Sequence, residues 1–158
     1  MSERKQNKKI DKRAPVIVGV GDLVDRSKED GLNPQELLAK ACEHAIQDSG
    51  IKELSNHIDY VGVVRFTVDF LTATNQSNFQ YSNFPRTLAN KLNISAKNEV
   101  YAPMGGNSPQ VLLEDALVKI STGETDCALL SGGEALQTMI AKLKAGMSLD
   151  WLDEPGGS

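Results

Sequence analysis

Hydrophobic positions along this chain alternate between two periods. Pro15-Val-Ile-Val-Gly-Val-Gly21 is a β-branched run ending in glycine, which predicts a buried strand. After a polar stretch, Asn33-Pro34-Gln35-Glu36 supplies a cap, a proline and a glutamate three residues past the cap, which together predict a helix start. Leu37, Leu38, Ala41, Cys42, Ala45 and Ile46 then fall on one face of a helix about four turns long, closed by Gly50. Ile58-Asp-Tyr-Val-Gly-Val-Val-Arg-Phe66 reads as a second strand, and residues 67–80 as a long polar loop with scattered aromatics. Phe84, Leu88 and Leu92 recur every four residues behind Asn83 and beside Pro85, predicting a helix over 83–92. Glu99-Val-Tyr-Ala102 is a third strand. Leu112, Leu113, Ala116, Leu117 and Ile120 mark a helix that Gly123 stops. Asp126-Cys-Ala-Leu-Leu-Ser131 is a fourth strand, and residues 135–146 form a further helix. From Trp151 onward the chain reads as loop.

Strands alternating with helices at spacings of 30 to 40 residues predict an α/β fold with a mixed, mainly parallel sheet and helices on both faces. Right-handed crossovers would bring the loops after each strand to one carboxyl edge. The length of 158 residues suits one core-forming domain, taken as residues 14–158, behind a basic disordered arm at residues 1–13.

Charge sharpens that division. The net charge is -4, but Arg4, Lys5, Lys8, Lys9, Lys12 and Arg13 sit together in the arm with only Glu3 and Asp11. The rest of the chain holds 11 basic and 19 acidic side chains. So acidic a body argues against a nucleic-acid surface. The arm has no apolar core of a secretory signal, and no apolar run reaches the roughly 18 residues of a membrane span. Cys42 and Cys127 fit no metal spacing and sit in apolar patterns, which points to buried, reduced thiols and a cytoplasmic protein.

The chemistry concentrates in Val100-Tyr-Ala-Pro-Met-Gly-Gly-Asn-Ser-Pro-Gln110, a strand running through a glycine turn into a helix. Asn107 or Ser108 is the expected cap, with Pro109 at the helix start. Such a terminus presents unpaired N–H groups and partial positive charge, suited to an anion or to lowering a cysteine pKa. Here Gly105 and Gly106 offer no nucleophile, and the Ser108 hydroxyl is expected to cap. Gly19-Val-Gly21 lacks the third glycine of a dinucleotide fingerprint and lies about 12 residues from its helix, so it reads as a turn. His44 and His57 pair with no recognisable nucleophile, and Glu134 after Gly132-Gly133 reads as a capping or ion-pairing group.

Gly106-Asn-Ser-Pro-Gln-Val, Ile120-Ser-Thr-Gly-Glu124 and Ala128-Leu-Leu-Ser-Gly-Gly-Glu134 together resemble the amino-terminal half of a thiolase, acetyl-CoA acetyltransferase-like. Pro15-Val-Ile-Val-Gly-Val-Gly21, Asp48-Ser-Gly-Ile51 with Ile58-Asp-Tyr-Val61, and Lys144-Ala-Gly-Met-Ser-Leu-Asp-Trp151 extend the resemblance from about Pro15 to Trp151. In that resemblance Gly106 takes the place of the acyl-carrying cysteine, Ser108 that of the motif serine, and Pro109 that of its second glycine. The resemblance implies an acyl-CoA acyltransferase homologue of lipid metabolism, with a CoA thioester as substrate and no covalently bound cofactor or metal. It also implies a missing carboxy-terminal half or partner subunit, which in thiolases supplies a histidine and a second cysteine. Homodimerisation through Glu99-Val-Tyr-Ala102 is a further implication. With Gly106 at the nucleophile position, beside Asn107 and Ser108, no catalytic residue is intact and the chain is expected to be inactive alone. The alternative is a non-catalytic acyl-CoA- or lipid-binding module, or a structural dimerisation domain.

Overall fold

The computed structural model describes residues 11–67, 69, 81, 83–149 and 151. Three strands form one sheet in the order β2-β1-β3: β1 is Tyr60–Val64, β2 Asn98–Ala102 and β3 Ala128–Ser131. Both pairings are parallel, with Val61 opposite Glu99 on one side and Leu129 on the other. The helices are α1 (Pro34–Asp48), α2 (Phe84–Lys91), α3 (Ser108–Thr122) and α4 (Leu136–Lys144), and a short 3-10 turn spans Leu54–His57. The α/β, parallel-sheet expectation therefore holds, and the elements fall close to their predicted places.

Side-chain alternation along β1 divides the core between two faces. Val61 and Val63 pack with Leu38, Ala39 and Cys42 of α1, Phe84 and Leu88 of α2, and Leu129 of β3. On the opposite face a Cβ at Gly62 would meet Leu112 of α3 and Leu130 of β3. Tyr60 reaches α3 through its hydroxyl, which donates to Asp115 at 2.8 Å. Helices thus cover both faces, as a parallel sheet requires.

Local chemistry explains the helix limits. Asn33 and Glu36 form the reciprocal capping box that starts α1. Asn83 caps α2, accepting from the Arg86 N–H, and also donates to Glu99 at 3.3 Å. Arg86 pairs with the same carboxylate, so α2 is tied to the edge strand β2. The helix α3 ends at Gly123, whose φ of 82° is the left-handed conformation that glycine adopts without strain.

Asp59, just before β1, knits the amino ends of the sheet. Its carboxylate accepts from the N–H groups of Asp126 and Cys127, and its carbonyl accepts from Lys97 and Asn98. This gives the Ile58-Asp-Tyr-Val61 passage a structural role.

Two expectations are corrected. Residues 15–21 join no strand ladder, and they are not buried: Val16 is 75% and Ile17 80% exposed. No described strand lies beside them to take their backbone groups. The segment is held instead by α1, where the Val20 N–H donates to Asp48 at 2.9 Å. Added Cβ atoms at Gly19 and Gly21 would run into the carbonyls of Ala45 and Ala41. Second, the buried stripe of α1 is Leu38, Ala39 and Cys42 with Pro34 and Gln35. Leu37, Ala41, Ala45 and Ile46 are half-buried, Ala41 and Ala45 because they face this glycine-lined segment rather than the sheet. Trp151 lies outside any helix or strand, as read from the sequence, and packs into the core with Leu149.

Most of the predicted loop at 67–80, the first ten residues of the basic arm, and residues 152–158 lie outside the described residues. Arg13, at the end of the arm, pairs with Asp126 at 3.7 Å and lies over Gly123.

Candidate functional site

Because the three strands run parallel, Val64, Ala102 and Ser131 end on one edge of the sheet, and the segments that follow them gather there. The turn after β2 leads into α3 through Pro103, Met104, Gly105, Gly106 and Asn107, all exposed. Ser108 is buried, at 3% exposure. Its hydroxyl donates to the Pro103 carbonyl at 2.5 Å and its N–H to the Gly105 carbonyl at 3.0 Å. The expected capping role is therefore replaced. Asn107 occupies the N-cap position without a side-chain cap bond, and Ser108 folds back to close the turn. A hydroxyl committed to a buried carbonyl is not a free nucleophile.

Gly106 differs from the other glycines of this region. A Cβ there would meet nothing within 4 Å, and its φ lies outside the left-handed range. The position tolerates a side chain that would project from the head of α3 into open space. The helix terminus is also a weaker anion site than its sequence suggests. The Ser108 N–H is already engaged and Pro109 has none to give.

Across the edge, Glu134 accepts from the Thr67 N–H at 2.5 Å, joining the segments after β1 and β3. Glu134 is thus a crosslink between two loops. Beside it lies a cluster that sequence reading missed. The Tyr101 hydroxyl donates to Asp69 at 2.6 Å, Arg65 pairs with Asp69 at 3.4 Å, and the Arg65 guanidinium sits 4.0 Å from the centre of the Tyr101 ring. Burial and then the Asp69 carboxylate push the Tyr101 hydroxyl far above its ordinary range. Phe66 and Phe84 lie against that ring, with centroids 6.5 and 6.3 Å from it, and Tyr81 packs in turn on Phe84 at 4.6 Å. The only sequence signal was Arg65 closing an apolar strand, since Asp69 fell within a stretch read as loop.

The thiols and imidazoles stay away from the turn. Burial raises the Cys42 thiol to about 11, partly offset by the Ser131 hydroxyl, and raises Cys127 as well. Cys127 precedes β3 at the opposite, amino edge and is half-buried rather than buried. His44 is exposed and bonds the Asp22 carbonyl through Nδ1 at 2.9 Å, and His57 is exposed at the end of the 3-10 turn. Among the described residues no group of three or more His, Cys, Asp or Glu is arranged to hold a metal ion, and no helix is long and apolar enough to cross a membrane.

The parallel sheet covered by helices on both faces, with the strand-turn-helix at Gly106, makes this an α/β fold whose likeness to a solved structure is thiolase-like. The chain is similar to the crystal structure of a monomeric SCP2-thiolase like protein type 1 from Mycobacterium smegmatis, with 32% identity and a TM-score of 0.62. The match covers 77% of this chain but 24% of that one, so this chain spans about a quarter of the length of the protein it resembles. No family model and no curated protein matches the chain.

Proposed function

We propose that this chain is the amino-terminal, nucleophile-lacking part of an acyl-CoA acyltransferase homologue of lipid metabolism, acting in the cytoplasm. One observation carries the reading. At the head of α3, where a thiolase-like turn would hold the acyl-carrying cysteine, stands an exposed Gly106 with open space around its missing side chain. The Ser108 hydroxyl, bonded to Pro103, does not replace it. A CoA thioester is the substrate class that reading implies, and a carboxy-terminal thiolase half or a partner subunit is what would complete a site. Loss of a covalent nucleophile costs several orders of magnitude in rate. The purified chain is therefore expected to cleave no acetoacetyl-CoA above a Gly106→Ala control, and measurable cleavage would refute this.

Gly106→Cys tests the geometry. A thiol at this helix terminus should titrate below the ordinary value of about 8.5. An ordinary or raised thiol pKa would mean that the turn lacks thiolase geometry.

A second reading, a non-catalytic acyl-CoA- or lipid-binding or dimerisation domain, draws support from β2. That strand pairs only with β1 among the described strands, leaving its outer edge available to a second copy. Calorimetry with acetyl-CoA and a longer acyl-CoA separates the readings: binding without turnover favours the module, and light scattering reports the dimer.

A further inference from the structure

We propose that the polar pocket between the end of α2 and the start of β2 binds a phosphorylated, hydroxyl-bearing small molecule. A cavity of about 380 Å³ opens there, within the ordinary range for small-molecule sites. Arg86 and Asn90 of α2, Asn93 and Ser95 of the connection, and Glu99 of β2 supply its polar lining. The connection passes the amino edge of the sheet, where the Lys97 and Asn98 N–H groups reach the Asp59 carbonyl. The pocket therefore lies away from Gly106, and nothing in it depends on acyl chemistry at that turn.

Charge and hydrogen bonding fix the ligand class. The body of the chain is acidic, yet residues 70–98 contain Arg86, Lys91 and Lys97 and no acidic side chain. The one carboxylate in the lining, Glu99, is already engaged at both oxygens, by Arg86 Nε and by the Asn83 amide. Arg86 meets it through Nε and remains 46% exposed, which leaves guanidinium N–H groups for a ligand. The Asn90 and Asn93 amides and the Ser95 hydroxyl have no hydrogen-bond partner among the described residues. Asn93 is placed by a left-handed backbone, φ 54°, which Asn tolerates better than most residues. A guanidinium flanked by unused amides and a hydroxyl matches the three acceptor oxygens of a phosphate ester. The pocket has room beyond a phosphate, and groups that both donate and accept suit the hydroxyls of a sugar-like body.

The probe is glucose 6-phosphate, added to the full chain and followed by amide NMR and calorimetry. Saturable shifts are expected at residues 90–99, with none from glucose and with inorganic phosphate binding about tenfold more weakly. Arg86→Gln should weaken binding about tenfold or more, the scale of a hydrogen bond to a charged group. Asn93→Gly removes one amide but suits the left-handed backbone, so the fold is kept while affinity falls about threefold. Lys52→Gln, at an exposed position outside the pocket, should leave binding unchanged, and circular dichroism verifies that all three variants fold. No saturable shift at millimolar probe, shifts centred on residues 103–108 instead, or unchanged affinity in either pocket variant overturns the proposal. So does an equal loss in Lys52→Gln, which would mark a response to net charge alone. Glucose binding as well as its phosphate, or inorganic phosphate binding as tightly as the sugar phosphate, also overturns it.

Discussion

At the scale of single residues, burial separates groups that the sequence presents alike. Ser108 and the two cysteines could each have been reactive. Ser108 is spent on the Pro103 carbonyl. Removing a buried hydroxyl that satisfies a carbonyl costs about 1 kcal/mol, so Ser108→Ala should lower the unfolding free energy by that amount in urea denaturation, chiefly by loosening the turn before α3. Cys42 allows a prediction with a defined sign. Its folded pKa is raised by burial from 9.0 to about 11, so the unfolded chain gives up this proton first. The contribution is whole below about pH 9 and is lost as the pH rises through about 11, amounting to roughly 3 kcal/mol. Tyr60 and Tyr101 are raised in the same direction and are common to any comparison. Urea midpoints measured between neutral and strongly alkaline pH should therefore fall more steeply for the native chain than for Cys42→Ala. Parallel curves would mean the thiol is not held neutral in the core.

At the scale of elements, most of the fold was legible because its signals are local. The Asn33-Pro34-Gln35-Glu36 box, the apolar strands around Val61 and Leu129, and Gly123 each act within a few residues of themselves. What was not legible depends on neighbours. Residues 15–21 carry every local mark of a buried strand, yet a strand is buried only when others flank it. The apolar stripe of α1 rotated for the same reason, since Ala41 and Ala45 receive a glycine-rich backbone rather than the sheet. At the candidate site the glycine at position 106 and its place on the helix were readable. The engagement of Ser108 and the Arg65–Asp69–Tyr101 cluster were not, because they depend on contacts between separate loops. Asp59 belongs to this scale too: one carboxylate draws β3 to β1 while the same residue's carbonyl receives the start of β2. Asp59→Ala keeps the backbone carbonyl but strands the N–H groups of Asp126 and Cys127, and should cost about 2–3 kcal/mol. Thermal unfolding followed by circular dichroism checks this, and a change under about 0.5 kcal/mol would show that the amino edge holds without it.

At the scale of the molecule, the unusual property is how much apolar surface remains uncovered after folding. Val16, Ile17 and Val20 are exposed along one segment, and Val111, Leu113, Leu117 and Val118 along α3. A helix with apolar residues on nearly all sides is normally enclosed by packing on more than one face, and contiguous exposed apolar surface of this kind marks an interaction face. The chain's match to a quarter of a longer thiolase-like protein accords with such a face. The consequence is measurable in the chain itself. Were residues 15–21 a buried central strand, as their sequence pattern predicts, Ile17→Thr would cost several kcal/mol through lost burial and an unsatisfied hydroxyl. With Ile17 at 80% exposure the same change should alter stability by less than about 0.5 kcal/mol. It should also raise solubility and reduce binding of a hydrophobic dye, because it removes apolar surface from water without opening the core. Val61→Thr, at a fully buried position of β1, provides the contrast and should destabilise strongly. A large loss from Ile17→Thr would mean that residues 15–21 are paired in solution.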